Sequence, residues 1–160
     1  MNDIALRTTN YDRSCCKVGI IHLGFGAFHR AHQALYIDDY MDLSGDTNWG
    51  IAAVNLRQND SHFFDKASRV TDGYVVKSID SDGSTGFRLS RAHVKFVDAI
   101  SQPDDAYDLF SLTTVTMVTV TVTESGYYFD SNWKLDTSAD AISSGLAGGN
   151  SETVYAFLAK

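Results

Sequence analysis

The chain has 160 residues, 44% of them hydrophobic and 12% aromatic, and a formal net charge of -7. Those values fit one globular domain and exclude a disordered or collagen-like chain. The negative charge argues against a nucleic-acid partner, and no apolar stretch reaches the ~20 residues that a membrane-spanning helix requires.

Residues 1–16 are polar and lack periodicity, so a lead-in or a mobile tail is expected there, with no secretory signal. Cys15 and Cys16 are adjacent, which is poor geometry for bridging each other, and no metal spacing surrounds them. They read as free thiols in a reducing cytosol, which implies a cytoplasmic protein. Val18 to Leu23 is a short branched apolar run and predicts the first strand. A helix is expected from Phe28 to Leu43, ended by Ser44-Gly45-Asp46. Trp49 to Leu56 predicts a second buried strand, and Ser61 to Ser68 a short helix. Tyr74 to Ile79, Phe87 to Ala92 and Lys95 to Ile100 read as short strands, with a hairpin-like turn over residues 81–86. Pro103 suits the first turn of a helix running to Ser111. Residues 113–123 alternate Thr with Val around Met117, a period-two strand pattern. Residues 131–150 look loop-rich, and Ser151-Glu152 opens a final helix through Phe157. The predicted fold is α/β: a Rossmann-like, doubly wound, mostly parallel sheet with an antiparallel β elaboration around residues 73–100.

The chemistry concentrates at Gly24-Phe25-Gly26, which directly follows the first strand and precedes a helix. That context is the one a dinucleotide fingerprint needs. The first glycine permits a tight turn, the second lets a pyrophosphate approach the backbone, and the helix start offers N–H groups to phosphate. The third position of the pattern is His29, so the generic fingerprint is incomplete, and a turn without ligand stands level with a nucleotide site. Past the second strand, Asp60 could accept from the adenosine ribose or cap the following helix. Arg57 nearby suits a 2′-phosphate instead. Thr123 and Glu124 end the Thr–Val strand. They share a crevice with Gly24 and Gly26 if the two strands are parallel neighbours. His22, His29 and His32 lack a carboxylate at metal-ligand spacing; packing, capping or phosphate contact by His29 or Arg30 is favoured over a metal. Glu124 taken alone reads as a solvated loop acid. Asp38 and Asp39 are expected on the solvated side of their helix.

Three stretches carry a resemblance: residues 22–34, from His22-Leu23-Gly24-Phe25-Gly26 to Arg30-Ala31-His32-Gln33-Ala34; Val120 to Tyr127; and Trp49-Gly50-Ile51 with Val54 to Arg57. They resemble the mannitol dehydrogenase family of polyol-specific long-chain dehydrogenases and hexuronate reductases, over residues 17–160. In that family the third glycine position is commonly not glycine. Gly126-Tyr127-Tyr128, Trp133-Lys134-Leu135 and Thr153-Val154-Tyr155 look most like its D-arabinitol 4-dehydrogenase and mannitol 2-dehydrogenase branch. Ser125 stands where the family usually carries Lys.

The resemblance implies the NAD(P)-binding half of an oxidoreductase that interconverts a polyol and its ketose by hydride transfer, without metal. NAD is the expected cofactor and NADP the alternative. Gly24, Phe25, Gly26, Ala27 and Phe28 would line the pyrophosphate and nicotinamide side. Asp60 would face the ribose, Arg57 matches a position often basic, and Thr123 and Glu124 would sit near the nicotinamide. The family's catalytic lysine belongs to a helical C-terminal domain outside these residues, so no catalytic residue is assigned and the chain alone is expected to be inactive. Two other functions stay open: a stand-alone nucleotide-binding module, and a hexuronate reductase of fructuronate or tagaturonate type.

Overall fold

The computed structural model describes residues 5–70, 72–148 and 153–159. In chain order the elements are β1 (Leu6–Arg7), β2 (Val18–Leu23), α1 (Ala27–Ala31), α2 (Gln33–Ser44), β3 (Gly50–Asn55), α3 (Ser61–Ser68), β4 (Tyr74–Ile79), β5 (Thr85–Ser90), β6 (His93–Asp98), α4 (Pro103–Asp108), β7 (Met117–Val120), α5 (Asp140–Leu146) and α6 (Val154–Leu158).

The main sheet has four parallel strands in the order β6-β3-β2-β7. The chain builds outward from β2 through β3 to β6, then crosses back to β7 on the other side of β2. That reversal opens a crevice at the carboxyl ends of β2 and β7, where ligands bind in doubly wound sheets. Neighbouring residues of β2 point to opposite faces, which explains why the run is apolar throughout. Ile21 and Leu23 pack with Ala52, Val54, Val97, Leu109 and Phe157 on one face. Ile20 packs with Tyr11, Ala34, Met41, Ile51 and Ala92 on the other.

A second, mixed sheet has the order β1-β5-β4, with β1 parallel to β5 and β4 antiparallel to it. It is fastened to α2 through charge. Arg88 donates to Asp39 Oδ2 at 2.7 Å and to the Leu35 carbonyl at 2.9 Å. Asp38 is fully buried and accepts from the Tyr11 hydroxyl at 2.5 Å and the Arg91 N–H at 3.2 Å. The expected solvated side of this helix is therefore an inner face, because the arginines that meet it arrive from β5 and from the turn after it, far along the sequence.

Several expectations need correction for identifiable reasons. Residues 5–16 are no free tail: β1 pairs with β5, and Thr9 and Tyr11 are buried. The single helix expected from Phe28 is two, broken at His32, whose backbone leaves the helical region. The Tyr74 hydroxyl donates to the Arg30 carbonyl at 2.8 Å and takes that group from the helical ladder. The antiparallel elaboration is the β4–β5 hairpin, whereas β6 joins the parallel sheet beside β3. β7 stops at Val120 because its partner β2 ends at Leu23, leaving Thr121 to Thr123 outside the ladder. Residues 131–150 are not all loop, since α5 buries Ile142. Thr153 caps α6 by accepting from the Ala156 N–H at 3.1 Å. Ser151 and Glu152, expected to open that helix, lie outside the described residues.

Candidate functional site

At the end of β2 the backbone turns at Gly24, whose N–H donates to the Val54 carbonyl at 2.7 Å and whose φ is +114°. That left-handed conformation favours glycine. Phe25 then inserts its ring among Phe63, Phe64, Tyr74, His93 and Phe96, at centroid distances of 5.1–6.1 Å. This aromatic cage fixes the turn. Gly26 precedes α1 in extended conformation, and a Cβ placed on it would meet nothing within 4 Å. The open volume beside it belongs to a cleft of about 630 Å³ between the ends of β2, β3 and β7.

Seven of the nine sequence-predicted residues, Gly24, Phe25, Gly26, Ala27, Arg57, Asp60 and Thr123, line this one cleft. Phe28 and Glu124 are not among its lining residues. Phe28 is 66% exposed and stacks on His32 at 5.1 Å, and Glu124 is an exposed residue opening a short helical turn, Glu124–Tyr127. Asp60 precedes α3 but makes no capping hydrogen bond with its side chain, so the capping alternative loses its contact. Its carboxylate instead faces Arg57 Nε at 3.7 Å, with both side chains largely in solvent. Asn55 holds this corner: its amide donates to the Arg57 carbonyl at 2.9 Å and accepts from the Arg57 N–H at 3.1 Å.

Arg30, for which the sequence suggests packing, capping or phosphate contact, also lines the cleft, as does Thr121, which the sequence does not single out. The Arg30 guanidinium lies over Phe25 at 5.2 Å and Phe63 at 5.0 Å, while its Nε donates to the Phe25 carbonyl. A cation held this way adds positive potential beside the glycine turn of an otherwise acidic protein. Its signal was the Arg at the fourth position after Gly26, one helical turn along.

Beneath the glycine turn three histidines meet, each at most 3% exposed. His22 and His29 stack at 3.3 Å between centroids, and His29 Nε2 lies 2.9 Å from His93 Nε2. Burial disfavours the imidazolium form of all three. His22 is pushed down to about 3, His29 to about 4 and His93 well below the ordinary value of 6.5. His32, by contrast, is exposed on the far side of the helix break. Among the described residues no group of three or more His, Cys, Asp or Glu is arranged to hold a metal ion.

Hydroxyls, an amide, two guanidiniums, the Asp60 carboxylate and bare backbone thus converge on a cleft at the sheet's switch point. No Lys or His is among the described residues that line it. The arrangement can hold and orient an anionic ligand. Residues 18–158 match the model of the mannitol dehydrogenase Rossmann domain. The chain belongs to the mannitol dehydrogenase family. It is similar to the mannitol 2-dehydrogenase of Pyricularia oryzae, 34% identical over 133 residues that cover 80% of this chain and 25% of that protein. Against the D-arabinitol 4-dehydrogenase of Klebsiella pneumoniae it is 31% identical over 141 residues, covering 88% and 30%. The Pseudomonas fluorescens mannitol 2-dehydrogenase, solved as a ternary complex with NAD and D-mannitol, superposes with a TM-score of 0.86 at 27% identity, over 96% of this chain and 32% of that one. A substrate-free D-sorbitol dehydrogenase shares the fold, with a TM-score of 0.84 at 22% identity over 96% of this chain and 32% of that one. The chain spans about a quarter of the length of the curated relatives it matches. The fold is therefore the Rossmann domain of a polyol dehydrogenase family. No helix among the described residues is long and apolar enough to cross a membrane.

Proposed function

We propose that this cleft binds NAD and that the chain is the nucleotide-binding half of a cytoplasmic enzyme interconverting a polyol of D-arabinitol or mannitol type with its ketose. The observation that carries this reading is the convergence of Gly24–Ala27, Arg57, Asp60 and Thr123, from three strand ends, on one cleft at the switch point. Gly24 and Gly26 leave room for the pyrophosphate against the backbone, and Arg30 supplies a countercharge beside it. Asp60 accepts from the adenosine ribose hydroxyls and disfavours a 2′-phosphate, which selects NAD over NADP despite Arg57. Thr123 lies toward the nicotinamide, with Phe28 and Glu124 on the rim beyond it.

Bound NAD would supply the acceptor for a hydride from the secondary alcohol carbon, with the alcohol proton passing to a base. In this reading a helical C-terminal domain of the same polypeptide supplies that base, in keeping with the chain spanning about a quarter of the length of its relatives. Calorimetric titration of the purified chain with NAD and with NADP tests the reading. Saturable heat with NAD, and no NADH formed on adding D-arabinitol or mannitol, is the expected pair of results. A folded chain that binds neither dinucleotide refutes it.

A further inference from the structure

The histidine cluster beneath the turn is one end of a hydrogen-bond chain that reaches the cleft, and Gln33 sets its direction. Gln33 Oε1 can only accept, so His29 keeps its proton on Nδ1 and donates it there at 3.0 Å. His29 Nε2 is then a lone pair, and the proton shared at 2.9 Å belongs to His93 Nε2. His93 Nδ1 is left as a buried nitrogen without a hydrogen-bond partner. A bare acceptor there is easier to bury than an orphaned N–H. On its other side Gln33 Nε2 donates to Thr119 Oγ1 at 3.3 Å, and Thr119 turns its own proton to His22 Nδ1 at 2.8 Å. His22 must therefore carry its proton on Nε2, which donates to Thr121 Oγ1 at 3.0 Å. Thr121 lies beyond the end of β7, lines the cleft, and has no further hydrogen-bond partner among the described residues. Its hydroxyl proton is left over.

We propose that this relay, running from His93 through His29, Gln33, Thr119 and His22, locks the Thr121 hydroxyl as a hydrogen-bond donor to an acceptor oxygen of the bound dinucleotide. The proposal rests on the dinucleotide reading. Every link donates in the same direction, so each bond polarises the next and the terminal hydroxyl becomes a stronger donor than a free threonine. Burial keeps the three imidazoles neutral, so the direction holds throughout the neutral pH range. The acceptor is an oxygen of the pyrophosphate or of the nicotinamide carboxamide; both accept without donating.

Two measurements test it. The first is the tautomeric state of the histidines in the ligand-free, ¹⁵N-histidine-labelled chain, read from long-range proton–nitrogen correlations. His29 should carry its proton on Nδ1, and His22 and His93 on Nε2. His22 protonated on Nδ1 instead would overturn the relay, because Thr121 would then donate inward. The second compares Thr121→Val and Thr121→Ser. Thr121→Val should weaken NAD about tenfold, the effect of one lost hydrogen bond to a charged or strongly polar acceptor, and Thr121→Ser should restore it. ADP-ribose separates the two acceptors: equal weakening of ADP-ribose and NAD assigns the pyrophosphate, and weakening of NAD alone assigns the carboxamide. Unchanged NAD affinity in Thr121→Val would overturn the role of Thr121 while leaving the nucleotide site intact. Failure of the wild-type chain to bind would overturn the nucleotide reading, and with it this ligand.

Discussion

Acid should destabilise this chain before its carboxylates titrate. His22, His29 and His93 are held neutral by burial, with the first two pushed down to about 3 and about 4 from 6.5. In the unfolded chain each recovers its ordinary value, so between 6.5 and the folded values the unfolded state binds more protons. The stability these groups contribute is complete above 6.5 and is lost as pH falls. At about pH 5, His22 and His29 sit ~1.5 units below their unfolded value and each contributes ~2 kcal/mol less, at ~1.4 kcal/mol per unit, and His93 moves stability the same way. His22 and His29 together amount to ~4 kcal/mol, against a total of ~5–15 kcal/mol for an ordinary domain. Urea midpoints followed by circular dichroism between about pH 7 and 5 measure the slope. His93→Phe, which keeps a ring among Phe25, Phe96 and Tyr74, removes one of the three groups and should reduce the slope. A midpoint that does not move over this range would refute the buried, neutral cluster.

Gly26→Val should leave the fold intact, within ~0.5 kcal/mol by urea unfolding, because its new Cβ meets nothing within 4 Å and its backbone is extended. The same change should weaken NAD at least about tenfold in calorimetry, by occupying the space beside the turn. Asp60→Ala should move the ratio of NAD to NADP affinity toward NADP, and an unchanged ratio would reject the ribose role. Asp38→Ala should cost about 3 kcal/mol in urea unfolding, since it strips the Tyr11 hydroxyl and the Arg91 N–H of a buried partner. Burial raises the Asp38 carboxyl above its ordinary 3.8, so this group makes stability fall as pH rises through the window just above that value; Asp38→Asn should flatten that limb.

How much of this was legible depended on the range of the interactions involved. β4 spans the predicted residues 74–79, and α3 the predicted 61–68, because the patterning that specifies them is local. The glycine turn was legible for the same reason, since a +114° φ at Gly24 and open space at Gly26 are demands on single residues. Partners distant in sequence were hidden. Nothing near Asp38 announces Tyr11 or Arg91, and nothing near Thr121 announces a histidine 99 positions earlier. The break at His32 likewise depends on a tyrosine hydroxyl arriving from β4. The Thr–Val alternation hides Thr121, because it predicts a strand through Thr123, whereas pairing stops where β2 ends. Family resemblance reached further than patterning, since it marked Ala27, which lines the cleft without any special backbone geometry.

The central claim is that the cleft at the ends of β2, β3 and β7 is a dinucleotide site. Isothermal titration of the wild-type chain with NAD, run beside Gly26→Val and followed by an unfolding check on both proteins, tests it most directly. The wild type should show one saturable site, weakened at least about tenfold in a variant that unfolds at the same urea concentration. Equal affinity in the two folded proteins, or no binding by a folded wild type, would contradict it.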